Sequence, residues 1–208
     1  MHPHLIRSLA LLICLGPAAR ADIEYQFAVD TSSISGTSGS FDLQFNPGPL
    51  TSQAASLQIL NFTSDGTLAG GASEIGDVSG GPLPAALTFD NGTAFNDYFE
   101  GFTFGSSINF EVRLFGPAVN SPDGTSASGS TFGFSMFSDA AGTIPALTTD
   151  VIDGFGATVG VNPDGTATVT SFSPQTNVAP VSAVPEPSDM ILLGIAGILI
   201  RVLRPART

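Results

Sequence analysis

The chain has 208 residues and a formal net charge of −12, with sixteen Phe, no Trp and no Lys. Its one Cys (Cys14) and its two His (His2 and His4) lie in the first 21 residues, so the remainder has no thiol or imidazole for nucleophilic catalysis, base chemistry or zinc ligation. Between Asp22 and residue 183 there are sixteen acids against Arg113 alone, a balance that repels phosphate backbones and argues against nucleic acid as a partner.

Residues 1–21 read as a secretory signal peptide. Arg7 supplies positive charge, 8–15 form a short apolar core and Gly16-Pro17 breaks it. Ala19 and Ala21 occupy the −3 and −1 positions of a cleavage site, which predicts signal peptidase and the export machinery as partners. The mature chain then has no Cys and forms no disulfide.

The body, 22–174, is long enough at about 150 residues to bury a core. Gly, Ser and Thr are abundant, but Phe recurs beside Val, Ile and Leu, a composition of folded β domains rather than disorder. Alternation predicts strands over 22–29, over 40–45 and over 56–62, the last with a slip between Leu60 and Phe62. In the second, Phe41, Leu43 and Phe45 share one face, with Asp42 and Gln44 on the other. Asn46-Pro47-Gly48-Pro49 and Ser64-Asp65-Gly66 are stops. Residues 68–81 are Gly-rich, with one short strand at 74–78, and a strand over 86–90 ends at Asn91-Gly92. The spacing of Phe95, Tyr98 and Phe99 in 93–101 fits a helical turn or an irregular strand, before a short strand at 102–104.

The clearest strand is 107–115, with Ile108, Phe110, Val112 and Leu114 inward and Asn109, Glu111 and Arg113 outward, Arg113 pairing with surface carboxylates. A loop over 117–129 follows, then a strand over 131–137, a turn over 139–142 and a strand over 149–156. Strands at 158–161 and 167–172 flank Asn162-Pro163-Asp164-Gly165, a hairpin signal. Residues 175–183 read as a polar, Pro-containing linker. Nine to eleven short strands without a long helical pattern predict an all-β fold, an antiparallel two-sheet sandwich of jelly-roll-like type.

The last 25 residues have an order of their own. Val184-Pro185-Glu186-Pro187-Ser188 is followed by eleven apolar or Gly residues, 190–200, and then by Arg201, Arg204 and Arg207. The two prolines keep the motif extended. The apolar run, extended to 203 with Arg201 snorkelling, predicts a short single transmembrane helix. The Arg cluster orients it with the C-terminus in the cytoplasm and the body outside.

The combination of motif, span and Arg tail, behind a signal peptide, resembles the PEP-CTERM sorting domain of Gram-negative bacteria. The resemblance implies that Pro185, Glu186 and Pro187 are recognised by an exosortase, which processes the chain near the motif. It also implies an inner-membrane intermediate, and then a place at the cell surface or in an exopolysaccharide matrix. Within the body, Thr31-Ser32-Ser33-Ile34-Ser35-Gly36-Thr37-Ser38-Gly39, Phe45-Asn46-Pro47-Gly48-Pro49 and Thr93-Ala94-Phe95-Asn96-Asp97 are similar to one uncharacterised group of such proteins. That similarity implies no activity.

Three roles follow as expectations. The first is a non-enzymatic exported surface or matrix protein. The second is a carbohydrate-binding module of the same matrix, for which Tyr25 and Tyr98 are the Tyr residues available. The third is an extracellular hydrolase using two of Glu74, Glu100 and Glu111, though no spacing singles out a pair and no Trp is present to stack on sugars. No catalytic residue and no cofactor is expected. A structural calcium at the Asx-Gly turns (Asp65, Asn91, Asp123, Asp164) is chemically suitable, but these dipeptides serve foremost as turns.

Overall fold

The computed structural model describes residues 20–181. Residues 1–19 of the leader, Ala19 among them, the Val184–Ser188 motif, the apolar run and Arg201, Arg204 and Arg207 lie outside the described residues.

The body forms two antiparallel sheets. Sheet A holds, in spatial order, β13 (Thr176–Pro180), β1 (Ile23–Asp30), β9 (Ser107–Phe115), β3 (Ser56–Ser64), β7 (Leu87–Asp90) and β6 (Val78–Gly80). Sheet B holds β12 (Ala167–Ser171), β11 (Phe155–Val161), β10 (Ser130–Phe137), β2 (Ser38–Pro47), β8 (Asp97–Thr103) and β4 (Thr67–Leu68), with β5 (Ser73–Ile75) also paired to β8. A four-residue helix, α1 (Pro117–Asn120), follows β9.

The sheets are held face to face by Phe. Eleven of the sixteen are buried. In the centre, Phe27 of β1 stacks on Phe110 of β9 at 4.7 Å, and both meet Phe132 and Phe134 of β10 edge-on across the sheets, at 5.3–6.5 Å. Edge-to-face contact sets the positive rim of one ring on the negative face of another, worth about 0.5–1.5 kcal/mol per pair beyond burial. β9 follows the expected alternation, with Ile108, Phe110, Val112 and Leu114 fully buried. Its outward Arg113 pairs with Asp22 at 2.5 Å and approaches Glu24 at 3.8 Å.

The slip in β3 is a bulge. The register jumps between Leu60 and Thr63, and Asn61 adopts a φ of 53°. The extra residue turns Phe62 inward, where it stacks on Phe41 of sheet B.

Four expectations differ from the structure, and one open between two alternatives is decided. The single strand over 74–78 is two, β5 and β6, because Gly76 (φ 77°) and Asp77 turn the chain between them. The ambiguous 93–101 resolves as a turn followed by strand β8, which also absorbs 102–103. The 117–129 loop opens with α1, where Pro117 stands in the first turn and its missing N–H costs no helical bond. The strand over 149–156 begins only at Phe155, because Asp150 accepts from the backbone N–H groups of Ile152 and Asp153 and closes a turn. The linker over 175–183 contains β13, which lies along β1 with Val178 opposite Phe27. Pro180 ends it at the edge of sheet A, where a strand tolerates the absent donor.

Candidate functional site

The strongest concentration of unusual chemistry lies on the outer face of sheet B. Along β2, Phe41, Leu43 and Phe45 point inward, so Asp42, Gln44 and Asn46 project to the other side. The register sets Asp42 opposite Ser135 of β10 and Phe99 of β8, and Gln44 opposite Gly133 and Asp97. Phe155 of β11 stands beside Ser135 and lies across Gly133, where a Cβ would come within 2.3 Å of its ring. These neighbours leave Asp42 only 7% exposed and Asp97 only 6%.

Two carboxyl groups thus sit in hydrogen-bonding contact away from water. Burial, then the Asp97 hydrogen bond and its charge, push Asp42 up to about 9, against a smaller opposing effect of Gln44. Gln44 donates to Asp42 Oδ2 at 2.5 Å, whereas the buried Oδ1 has no N–H or O–H partner. Two ionised carboxylates cannot share that space, and a proton between them is the simplest occupant.

On the inner side of β8, Tyr98 and Glu100 form a second buried group. Tyr98 Oη donates to Glu100 Oε2 at 2.5 Å and accepts from Leu83 N at 3.1 Å. Glu100 Oε1 accepts from Gly70 N at 3.1 Å. Burial, reinforced by Glu100, raises the Tyr98 hydroxyl well above its ordinary value. Both Glu100 oxygens are engaged, and the group ties the Gly-rich crossover to β8. Glu74 is exposed on β5 opposite Tyr98, whereas Glu111 stands on sheet A and accepts from Asn61 at 2.8 Å. The three Glu therefore do not converge. Tyr25 is half-buried on β1 and Tyr98 fully buried, so neither is a freely exposed stacking ring.

The turn acids are occupied. Asp65 accepts from the N–H groups of Ser106 and Ser107 and from the Ser106 hydroxyl. Asp123 caps Thr125 and Ser126, Asp139 caps Thr143 and Ile144, and Asp164 caps Thr166. These bonds, the Ser126 ones among them, lower Asp123 to about 2, and the Ser106 and Ser107 bonds hold Asp65 well below the carboxylate range. Asn91 locks its own turn through Ala55 N, Gln53 O and Ser130 Oγ. The Thr93–Asp97 motif is likewise structural. Asn96 is fully buried, donates to Phe45 O and Thr93 O, and accepts from Asp77 N and the Thr93 hydroxyl. Asn46 Oδ1 accepts from Asn96 N at 2.7 Å, joining two of the motifs.

Of the expected processing residues, Ala21 falls within the described residues and is exposed. Next to it, Asp22 receives Arg113 and Asn120, while Arg20 donates to Asp164 O at 2.7 Å. Sequence reading passed over Asp42 and Asp97, because each looks like a solvated polar residue on a strand. Only the pairing of β2 with β8 brings them together.

No family model, curated protein or solved structure matches this chain.

Proposed function

We propose that this is an exported, non-enzymatic surface or matrix protein, a jelly-roll-like domain carried between a signal peptide and a C-terminal sorting segment. An exosortase recognises Pro185-Glu186-Pro187 and processes the chain there, after a transient stay in the inner membrane. The observation that carries this reading is the ordered sequence of motif, apolar run and Arg201, Arg204 and Arg207. The domain's ends add support. Tyr25 lies opposite Pro180 and Val181 N donates to Glu24 O at 2.8 Å, so the start of β1 and the end of β13 lie side by side. The chain therefore enters β1 and leaves β13 at the same end of sheet A, an arrangement compatible with a C-terminal tether.

Intact mass of the chain from cells with and without an exosortase tests this. Loss of the residues beyond the motif is expected only with the enzyme, and Glu186→Ala should block it. Retention of 188–208 in exosortase-containing cells overturns the reading. A carbohydrate-binding role in the matrix is the second reading, favoured by half-exposed Phe99 and Phe155 beside Gln44 and Asn46 on the outer face of sheet B. A glycan array without any bound polysaccharide would remove it.

A further inference from the structure

We propose that two copies of this chain pair through β12, the outer strand of sheet B, and so join their sheets into one continuous antiparallel sheet. The unused hydrogen-bonding groups of β12 follow from its ladder with β11. Asn162 N donates to Thr166 O at 2.8 Å at one end of this ladder, and Phe172 N donates to Gly156 O at 2.9 Å at the other. The register between them is unbroken, so bonded pairs alternate with non-bonded ones, and Thr168 and Thr170 turn their N–H and C=O groups toward β11. Ala167, Val169 and Ser171 turn theirs away, and no strand among the described residues lies on that side. Each of the other described edges is guarded. β13 carries Pro180, β6 is three residues long and runs into Gly81-Pro82, β4 has two residues, and β5 has three with Glu74 among them. Charge, Pro, bulges and brevity are what keep an edge from pairing with another chain. β12, Ala167-Thr168-Val169-Thr170-Ser171, has no charge, no Pro and no bulge. Its start is steadied by Asn162 Nδ2, which donates to the Thr166 and Thr168 hydroxyls at 2.9 and 3.0 Å.

Self-complementarity selects a second copy as the occupant. About a two-fold axis at Val169, each copy donates its Ala167, Val169 and Ser171 N–H groups to the other's carbonyls. Val169 then lies opposite its own counterpart and Ala167 opposite Ser171. The half-buried Val169, which packs against the core, gains a second Val beside it. On the outer face Thr168 lies opposite Thr170 of the other copy, a favourable cross-strand pair. Within the ladder no like charges meet. Charge elsewhere acts against the pair: both copies are acidic, so association is weak at low salt and strengthens as salt screens the repulsion. A short ladder working against that repulsion places the Kd on the order of 0.1 mM. The chain is then a monomer in dilute solution and pairs where copies are crowded. The pairing uses no residue of the sorting segment, so it stands or falls apart from the proposed processing.

The experiment follows amide exchange with solvent by NMR on the labelled full chain in detergent, at about 50 µM and about 1 mM. The Ala167, Val169 and Ser171 amides should exchange roughly threefold more slowly at the higher concentration, with the amides of β9 unchanged. Raising salt from about 20 to about 500 mM should increase that protection. Ser171→Pro removes an edge donor that the fold itself does not use. With its circular dichroism unchanged, it should abolish the concentration dependence at Ala167 and Val169. Glu111→Gln, on the outer face of sheet A, should leave that dependence intact. Equal exchange of the three amides at both concentrations in the unaltered chain overturns the proposal and needs no variant to interpret. So does association that leaves these three amides unprotected, as contact through the apolar run alone would, or protection that Ser171→Pro retains.

Discussion

Replacing Asp42 by Asn should make this protein more stable at neutral pH. The side chain keeps its shape, and its amide can donate to Asp97 where the acid had to hold a proton. The magnitude follows from linkage. Asp42 ionises near 3.8 in an unfolded chain but only near about 9 in the fold. A group whose value is raised on folding contributes its full stability below the unfolded value and loses it as pH rises toward the folded one. At about 1.4 kcal/mol per pH unit, the loss between pH 3.8 and 7 reaches at most ~4 kcal/mol. Urea unfolding of wild type and Asp42→Asn at pH 5, 7 and 9 with EDTA measures it. The wild type should lose stability across this series and the variant should lose much less, so the curves diverge toward pH 9. The turn acids do not confuse the window, because their lowered values act below about pH 4. Equal slopes, or a variant less stable than wild type at pH 9, would refute the buried-pair argument.

Three further outcomes are expected. Phe110→Ala removes the ring at the centre of the aromatic cluster and should cost about 3–5 kcal/mol in urea unfolding. Asp65→Asn weakens the acceptor that ties the β3–β4 turn to Ser106 and Ser107, so it should lower the melting temperature at pH 7. Asp65 is depressed in the fold, so this difference should shrink progressively as pH falls below about 4, and a difference as large at pH 2 as at pH 7 contradicts the assignment. Tyr98→Phe strands Leu83 N and one Glu100 oxygen, costing about 1–3 kcal/mol. It should also speed limited proteolysis of the 69–84 crossover.

The core was legible because its signal is local. Along 107–115 every second residue is apolar, and that alternation alone sets which side faces inward. The slip at Leu60 and Phe62 marked a real bulge for the same reason. What escaped reading depended on partners distant in sequence. The chemistry of Asp42 arises from Asp97, fifty-five positions away, and from the rings of Phe99 and Phe155. β13 escaped because Thr176-Asn177-Val178-Ala179-Pro180 has little β character of its own. Its ladder with β1 supplies what propensity lacks. Val151 and Ile152 misled in the opposite direction: their apolar character suggested a strand, yet they stand 77% and 86% exposed on a turn that Asp150 closes.

The position of β13 makes the boundary between the domain and the proposed sorting segment a measurable quantity. The strand ends at Pro180, and Val181 still bonds to Glu24 O, so the last inter-strand contact lies three residues before Val184. A chain ending at residue 183 should therefore melt within about 1 °C of the full chain, since no described contact is lost. A chain ending at Gln175 loses all five β13 pairs to β1 and the cover that Val178 gives the core. At about 1 kcal/mol net per hydrogen bond, that deletion should cost on the order of 3 kcal/mol and leave β1 as an unpaired edge prone to self-association. Urea unfolding and sedimentation of the two truncated chains decide the matter. If the shorter one is as stable and monomeric as the longer, β13 is no working part of the sheet and the domain ends earlier. If the longer one is already destabilised, removal of the residues beyond 183 is not harmless to the domain, and the proposed processing near the motif would carry a folding cost that the geometry of sheet A does not predict.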